Sequence, residues 1–510
     1  MTDFRTAGRP AFASTLLALA LAACSVGPDY VRPQLPTPEA FHGAVAAGSA
    51  ITATPDAGAA APAHAQAPAP APAPASTADD RFWRDFGDPL LVQLVEDALS
   101  ANHDLRIAFA RYDRANALLR GARLDHLPTV TADAEAATSR ASATQEPGQL
   151  RSGRDADSYR AGIAAAWEID LFGRIRRSIE AGRADALASY ADMQAVQVAI
   201  AGETTHAYLD LRGAQERLRV ARGNAGNQRD TFKLVQARFD AGRDSEFDTA
   251  RADAQLETTR ARIPALEAQV ASSIHRLGVL TGRTPDALVE VLGEAAPLPA
   301  LPAVIDPGTP GELLRSRPDV AAAEARLHAA TARIGVATAE LFPRFTLGGL
   351  LGSQAADVGA LFERDSGTRF VALGIDWSFL DVGRVRTRIA AADADAAGEL
   401  ARYQQAVLLA LEDTENALVR LDRARAEDAH LERAARNSAR AAELARIRFD
   451  AGAIGLLEVL DAERTRLQAE DAFAAARTRS ATAAVALYRA LAGGWPHPLA
   501  LAMDPVPEPR

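Results

Sequence analysis

Residues 167–179 (WEIDLFGRIRRSI) and residues 377–389 (WSFLDVGRVRTRI) share a tryptophan, a Gly-Arg pair, a second arginine and an isoleucine at the same spacing. The two stretches lie 210 residues apart. Farther along, residues 238–242 and residues 448–452 both read Arg-Phe-Asp-Ala-Gly, at the same offset. The chain therefore contains an internal duplication, and the two copies are expected to fold into the same series of elements.

The offset between the copies is different on the N-terminal side of these stretches. Asp104 and Pro128 return as Asp319 and Pro343, which is an offset of 215 residues. Five residues are therefore missing from the second copy between Pro343 and Trp377. A surface loop can absorb such a loss.

Each copy contains one very long predicted helix, at residues 174–240 and 384–450. A helix of 67 residues is roughly 100 Å long, which exceeds the width of a globular domain. Residues at a heptad spacing support both helices, because seven-residue repeats mark helices that pack along their length. These residues are Ile179, Ala186, Met193, Ile200 and Ala207, with the repeat mates Ile389, Ala396, Tyr403, Ala410 and Ala417.

Shorter helices flank the long ones in both copies. A helix at about 89–126 or 318–341 should come before the strands, and a returning helix at 245–281 or 456–491 should follow the long helix. The returning helices should run antiparallel to the long ones, because only a short glycine turn separates them. Pro264 should kink the first returning helix.

Four segments alternate strictly between apolar and polar or small residues, at about 128–139, 158–171, 343–352 and 369–380. This alternation is typical of transmembrane β-strands, although a soluble, half-buried hairpin shows the same pattern. Four strands cannot close a barrel, and an open edge cannot face lipid because its amide groups would lack partners. The barrel must therefore be shared: two chains would supply eight strands, and three would supply twelve with room for a pore.

The N-terminal residues have the features of a secretion signal followed by a lipidation site. Residues 1–23 have a basic start and an apolar run of signal-peptide length, and they end immediately before Cys24, the one cysteine of the chain. Small residues before a unique cysteine resemble the lipidation site of bacterial lipoproteins, in which Ser25 as the next residue implies sorting to the outer membrane. Residues 24–42 then form a lipidated arm, and the Ala/Pro-rich residues 43–78 form an extended tether.

Composition excludes several classes of function. The chain has 510 residues and a net charge of −10, which argues against a nucleic-acid surface. One cysteine allows no intrachain disulfide, and the nine histidines are scattered. We find no nucleophile, base or metal-ligand constellation and no nucleotide-binding loop, so we expect no enzyme, no cofactor and no metal site.

Several motifs together resemble the TolC-like outer-membrane efflux proteins, specifically the lipoprotein branch that serves resistance-nodulation-division pumps. The matching segments are residues 24–30 (CSVGPDY), 82–90 (FWRDFGDPL), 102–105 (NHDL), 207–212 (AYLDLR) and 313–320 (LLRSRPDV). They occur in the family's order, and the resemblance covers nearly all of the chain outside the signal peptide and the tether.

The resemblance implies a mainly α-helical fold with a transmembrane β-barrel part. It implies a homotrimer with a twelve-stranded barrel in the outer membrane and a twelve-helix periplasmic tunnel. The first structural repeat would be residues 79–282 and the second residues 317–494, joined by an equatorial connection at 283–316 and followed by a C-terminal tail at 495–510. A periplasmic adaptor would link the trimer to an inner-membrane pump.

The implied function is passive export of small molecules, such as drugs, through the exit duct of a tripartite pump. Three alternatives remain at this stage. The duct could serve a one-step protein secretion system, although the GPDY start favours small-molecule efflux. The chain could be a structural periplasmic spacer that conducts nothing, or, least favoured, a hydrolase.

The two turns after the long helices are the expected sites of adaptor docking. Arg238 and Gly242 belong to the first turn, and Arg448 and Gly452 to the second. Glycine there permits the positive φ that ends a helix. A simple stop signal would explain the glycines, but it would not explain the repeated Arg-Phe-Asp.

The gate that closes the tunnel is expected on the second long helix, about three helical turns before Gly452. The family often places acidic residues there. This stretch contains Arg436 and Arg440 but no acid. The 210-residue offset sets Asp230 at the height of Arg440, so we hypothesise that the two pair at the closed end, within or between protomers. Two unrelated solvated charges are the alternative.

A second acidic feature lies in the middle of the second long helix. Glu412, Asp413 and Glu415 form a cluster there. They could form a ring that attracts cations in the lumen, whereas a solvated helix face is the simpler and favoured interpretation.

Overall fold

The computed structural model describes residues 25–43, 81–302 and 304–491. Cys24, most of the predicted tether and the predicted C-terminal tail lie outside these residues. The chain divides into two compact units. The first comprises Met1–Gln34, Arg111–Tyr190 and Ala322–Gln404, and the second Leu35–Ala110, Ala191–Ala321 and Gln405–Arg510.

The described chain is mainly helical, with one antiparallel sheet. Its strands are β1 (Thr129–Arg140), β2 (Asp155–Ile169), β3 (Arg344–Ala355) and β4 (Gly367–Asp376), in the spatial order β1-β2-β3-β4. Its helices are α1 (Pro89–Ala101), α2 (His103–Leu124), α3 (Arg174–Asp240), α4 (Glu246–Arg260), α5 (Arg262–Leu280), α6 (Val289–Leu292), α7 (Pro310–Ser316), α8 (Pro318–Ala339), α9 (Val382–Asp450) and α10 (Leu456–Ala490).

The two hairpins of the sheet have equivalent registers. Thr129 lies opposite Ala166 in the first hairpin, and Arg344 lies opposite Asp376 in the second. The offset is 215 residues between the first strands and 210 between the second strands. These are the two offsets that the sequence shows upstream and downstream of the missing residues, so the duplication extends to the pairing of individual residues.

The segment 89–126, predicted as one helix, is two helices. Asn102 separates α1 from α2 because its backbone is extended, with ψ 133°. Its side-chain carbonyl accepts hydrogen bonds from the amides of Asp104 (2.8 Å) and Leu105 (3.2 Å), and its side-chain amide donates to the carbonyl of Leu280 at 3.0 Å. Asn102 therefore caps the second helix, which is a common role for asparagine.

The first returning helix, predicted as continuous over 245–281, is broken at Ala261 into α4 and α5. Pro264 lies in the first turn of α5, where its missing amide hydrogen does least harm. Ser245 starts α4 with a capping box: its hydroxyl accepts from the amide of Asp248, whose carboxylate accepts from the amide of Ser245. Its counterpart α10 is unbroken.

The last strand was predicted at 369–380 but spans Gly367–Asp376. Asp376 pairs with Arg344, the first residue of β3, and Pro343 precedes it. Proline has no amide hydrogen to continue the ladder, so the pairing ends there. Trp377 leaves the sheet, and its indole Nε1 donates to the carbonyl of Leu341 at 2.9 Å.

The largest hydrophobic cluster lies in the second unit and includes a short 3₁₀ helix, Phe82–Phe86. The rings of Phe82 and Tyr488 stack at 4.9 Å, and the Tyr488 hydroxyl donates to Asp85 at 2.7 Å. The Tyr208 hydroxyl donates to the second carboxylate oxygen of Asp88 at 2.6 Å, while the first one accepts from the start of α1. Burial, followed by the bond to Asp88, raises the pKa of Tyr208 to about 12, so this hydroxyl stays protonated.

The heptad positions of the long helices face packed interiors. Most of them are buried, and the rest are half-buried. The buried ones are Ala186, Met193, Ile200, Ala396, Tyr403, Ala410 and Ala417. Small side chains at these positions let neighbouring helices approach closely, which explains how an alanine-rich chain with few aromatic residues can build long packed helices.

Candidate functional site

The sheet has one apolar face, because side chains alternate along each strand and the registers align the alternation. In β2 this face carries Ile163 and Trp167, which lie opposite Leu351 and Leu347 of β3. Leu347 in turn lies opposite Leu373 of β4. All of these side chains are exposed to some extent in the single chain, Leu351 and Leu373 the most. An exposed apolar face of this size in a soluble protein would be a liability.

The opposite face of the sheet is mostly polar or small, apart from Leu350 and Phe370, which lie opposite each other on it. It carries Arg160 and Glu135, whose side chains form an ion pair at 3.6 Å. Gly162 and Gly352 lie opposite each other on it. A Cβ at Gly352 would approach the carbonyl oxygen of Ala161 to 2.6 Å, so glycine is required at that position. The two faces therefore suit two different solvents, lipid and water.

The junction between β2 and α3 is fixed by charge and by an indole. Trp167 Nε1 donates to the carbonyl of His126 at 2.8 Å, as its repeat mate Trp377 does to Leu341. Arg174, the first residue of α3, donates two hydrogen bonds to the carboxylate of Glu168, at 2.8 and 2.7 Å. The repeated tryptophan thus holds the strand end against the preceding helix in both copies.

The N-terminal arm is bound through Arg177, which is buried. Its guanidinium donates to the carbonyls of Val26 (3.3 Å) and Gly27 (3.4 Å), and it pairs with Asp29 at 2.6 Å. Gly27 has φ +91°, and a Cβ there would lie 2.4 Å from the Cα of Gly335. The sequence motif GPDY is therefore a docking segment, and only glycine fits at its first position.

Tyr30, the last residue of this motif, stacks on His328 with 4.4 Å between the ring centroids. Its hydroxyl donates to Glu324 at 3.3 Å, and Arg32 pairs with the same carboxylate at 2.9 Å. Burial, followed by the charge of Glu324, raises the pKa of Tyr30. The arm is therefore held by stacking and charge as well as by its backbone.

Both Arg-Phe-Asp-Ala-Gly turns have the same backbone. Gly242 has φ +69° and Gly452 has φ +74°. The amide of Arg243 donates to the carbonyl of Arg238 at 2.8 Å, and the amide of Ala453 donates to the carbonyl of Arg448 at 2.8 Å. This is the left-handed C-terminal cap that glycine favours.

The side chains of the two turns have opposite roles. In the second turn Phe449 is buried (9% exposed), whereas its repeat mate Phe239 is 38% exposed. Arg448 is exposed, whereas Arg238 lies over the ring of Phe449 at 5.0 Å and pairs with Asp244 at 2.9 Å. A cluster that also includes Val235, Leu456 and Val459 surrounds Phe449. One turn thus supplies a phenylalanine and the other an arginine to a shared interior.

The gate candidates have partners on their own helices. Lys233 Nζ lies 3.7 Å from Asp230, and Arg440 pairs with Glu443 at 2.7 Å. Arg436 lies 3.7 Å from Glu432. No ion pair joins Asp230 to Arg440 among the residues that the structure describes, so only pairing between protomers remains to be tested.

The three acidic candidates of α9 do not act as one cluster. Glu412 is exposed. Asp413 lies 3.4 Å from Arg317, and Glu415 accepts hydrogen bonds from the backbone amides of His42 (2.7 Å) and Gly43 (2.9 Å). Glu415 therefore fastens the N-terminal arm, a role that the sequence alone did not suggest.

Two further residues were missed at the sequence level. Arg317 of the RPDV motif is buried; it pairs with Asp319 at 2.6 Å and donates to the carbonyl of Ala490 at 2.9 Å, which ties α8 to the end of α10. Glu463 is only 5% exposed, and its Oε2 has no hydrogen-bond partner in the described chain. Burial raises the pKa of Glu463. The motif could have pointed to Arg317, but nothing in the local sequence distinguishes Glu463.

The described residues offer neither a metal cluster nor an apolar helix of membrane-spanning length. They contain no group of three or more His, Cys, Asp or Glu side chains placed to hold a metal ion. None of the helices in the described part of the chain is both long enough and apolar enough to cross a membrane.

Comparison with known proteins gives consistent matches. The family model for outer membrane efflux proteins matches residues 94–283 and 309–493. The outer membrane protein OprJ of Pseudomonas aeruginosa is 33% identical over 504 residues, which cover 96% of this chain and 97% of OprJ. The pyoverdine export outer membrane protein OpmQ of Pseudomonas putida is 35% identical over 426 residues, covering 82% of this chain and 88% of OpmQ.

A solved structure extends the match to three dimensions. The outer-membrane channel OprN superposes with a TM-score of 0.81 at 39% identity, covering 92% of this chain and all of the OprN chain. The resemblance drawn from the sequence motifs is thereby confirmed.

Proposed function

Because this chain belongs to the outer membrane efflux protein family, we propose that it assembles as a homotrimer into the exit duct of a tripartite efflux pump. Outer-membrane location and an efflux role come with the family. The trimer, its partners and its cargo are the parts of the proposal that go further.

One observation carries the trimer: within the described residues the sheet has four strands, one mainly apolar face and one mainly polar or small face. A sheet with free edges leaves backbone groups without partners in hydrocarbon, so it must close with strands from other chains. Two chains would give eight strands, whose side chains fill the interior, whereas three give twelve and leave a lumen. The polar or small face would then line that lumen.

A periplasmic adaptor and an inner-membrane resistance-nodulation-division pump are the proposed partners. We place adaptor docking at the two turns that contain Gly242 and Gly452. The side chains of Phe239 (38% exposed) and Phe247 (70% exposed) favour this surface, since exposed aromatic residues are enriched at protein interfaces. Gly452→Pro should abolish adaptor cross-linking and efflux, because proline cannot adopt φ +74°. Unchanged cross-linking would contradict docking at this turn.

The proposed cargo is small organic molecules. The curated name of OpmQ states that it exports pyoverdine, which is a precedent for a small molecule in a relative. The family consists of channels, and we infer that this chain adds no chemistry to what it transports. The energy for transport would come from the inner-membrane pump.

Anchoring by lipid on Cys24 is also proposed, with a diacylglyceryl group on the sulfur and an acyl chain on the new amino group. The docked arm supports it, because the arm is held from Val26 onward, two residues after Cys24. Mass spectrometry of the mature protein should find Cys24 modified at both atoms. An unmodified cysteine would refute the anchor.

Single-channel recording in planar bilayers tests the duct itself. The purified protein should conduct ions, and a silent trimer would favour the structural spacer. If Asp230 and Arg440 pair between protomers at the closed end, Asp230→Ala and Arg440→Ala should each raise the conductance, and the charge-swapped double variant should lower it again. Wild-type conductance in both single variants would end the gate hypothesis and leave the duct proposal intact.

A further inference from the structure

The two outer edges of the sheet indicate how one copy of the chain pairs with the next. β1 and β4 each have one neighbour within the described chain, so each presents one edge of unpaired backbone groups. In the proposed trimer, on which this inference rests, β4 of one protomer pairs with β1 of the next. The register of that pairing determines which residues lie opposite each other.

Side-chain alternation restricts the register between β4 and β1. Ala134 and Ala136 of β1 lie on the apolar face, because they are opposite Ala161 and Tyr159 of β2. On β4 the same face carries Leu373, as described above. Since a slip of one residue would turn every side chain of a strand to the other face, Leu373 must lie opposite an even-numbered residue of β1. The candidates are Val130, Ala132, Ala134, Ala136, Thr138 and Arg140.

The duplication then selects one register. β2 and β3 form the contact between the two copies, and in it Ile163 lies opposite Leu351. The repeat mate of Ile163 is Leu373 at an offset of 210, and the mate of Leu351 is Ala136 at an offset of 215. The equivalent hairpin registers validate both offsets residue by residue. We propose that β4 of one protomer pairs antiparallel with β1 of the next, with Leu373 opposite Ala136 and Ala372 opposite Ala137.

Charge is the strongest argument against this register. It places Asp376 opposite Asp133, and it places Arg369 opposite Arg140. Two existing neighbours moderate the repulsion. Arg344 lies directly opposite Asp376 on the other side of β4, and Arg140 Nη2 donates to Asp155 at 2.7 Å. Like charges directly opposite each other across strands are unfavourable, but Asp376 and Arg140 each have an opposite charge beside them, so they do not overrule the repeat.

Cysteine cross-linking distinguishes the proposed register from its two nearest alternatives, in which Leu373 lies opposite Ala134 or Thr138. The test variant is Ala136→Cys with Leu373→Cys, and the matched controls combine Leu373→Cys with Ala134→Cys or with Thr138→Cys. Directly opposed residues fall within the Cα separation that a disulfide accepts, about 4.4–6.8 Å, whereas diagonal ones lie about 7–8 Å apart. Under mild oxidation of outer membranes, the test variant should lose its monomer band to a covalent trimer faster than either control. The parent chain, with Cys24 alone, should stay monomeric on the gel.

A second pair keeps the test decisive if the first variant does not reach the membrane. Ala137→Cys with Ala372→Cys lies on the other face, where small side chains tolerate the change, and it should cross-link as well. Faster reaction of a control pair would overturn the register while leaving the trimer in place. The mass of the uncross-linked protein in detergent separates the two ideas: a monomer there would defeat the trimer, and the register with it.

Discussion

In the two hairpins, residues of the two copies that correspond in sequence also correspond in structure, down to Thr129 facing Ala166 as Arg344 faces Asp376. In the two Arg-Phe-Asp-Ala-Gly turns the backbones agree, but Phe449 is buried where Phe239 is exposed. A sheet must satisfy the hydrogen bonds of every residue, so its register resists change. A turn needs only its glycine, and its side chains are free to diverge. Strong constraint on the backbone and weak constraint on side chains thus coexist in one duplicated chain.

The largest expected effect contrasts the two phenylalanines. Phe449→Ala should lower the free energy of unfolding by about 3–5 kcal/mol, because a buried ring is lost from a packed cluster. Phe239→Ala, the same change at the repeat mate, should lower it by less than about 1 kcal/mol. Thermal unfolding followed by circular dichroism would measure both. Equal losses would mean that the turns are used alike in the assembled protein.

The sheet offers the second contrast. Leu373→Arg puts a charge on the apolar face and should destabilise the assembled barrel by about 2–4 kcal/mol if the site lies at mid-membrane depth. Phe370→Arg, three residues earlier on the opposite face, should have little effect, because that face would be wet. Urea unfolding of the trimer in lipid vesicles provides the readout. A larger loss for Phe370→Arg would reverse the assignment of the faces.

Glu463 and its repeat mate Asp253 offer a third contrast, because Glu463 is buried and Asp253 is exposed. Burial raises the pKa of Glu463, so the folded state holds its proton more tightly than the unfolded chain does. The stability that this proton provides is present below the pKa of an unfolded glutamate and is lost as the pH rises through the folded value.

Glu463→Gln should therefore stabilise the protein at neutral pH by about 1–3 kcal/mol, the range for an unsatisfied buried group. The stabilisation should vanish near pH 4. Asp253→Asn is the control and should leave the pH profile of unfolding unchanged. A pH-independent difference between Glu463→Gln and the wild type would show that the carboxyl does not titrate in this range.

The smallest effect belongs to the arginines. Arg238→Ala should lower stability by about 0.5–1 kcal/mol, since it removes a contact with an aromatic ring, and Arg448→Ala should change it by less. Chemical denaturation of both variants, compared with Phe449→Ala, would locate the loss. If Arg238→Ala still weakens the protein when residue 449 is already alanine, the ion pair with Asp244 rather than the ring contact carries the effect.

Repetition made much of the fold predictable. The two offsets, found from Trp167 with Trp377 and from Pro128 with Pro343, reappear in the hairpin registers. Heptad positions such as Met193 and Tyr403 are buried. The break at Asn102 was missed because one asparagine inside an apolar helical pattern is a weak signal, and its capping role depends on Leu280, far away in sequence. Tertiary partners of this kind leave no local trace.

The candidate sites were less predictable, for the same reason. The offset sets Asp230 and Arg440 level with each other, but each pairs with a residue three positions away on its own helix. Glu415 looked like part of a charged run, yet its partners are backbone amides of a distant arm. Periodicity gives the height and the face of a residue, whereas its partner depends on packing between segments that the repeat does not relate.

The equivalence of the two hairpins also bears on ancestry. Because one hairpin register serves both copies, an ancestral chain with a single copy would form the same ring from six small chains in place of three large ones. Fusion of two such genes would have left the ring intact and freed each half to vary wherever the ladder does not constrain it. The different side-chain roles in the two Arg-Phe-Asp-Ala-Gly turns would then have arisen later, after the halves were joined and no longer had to be interchangeable.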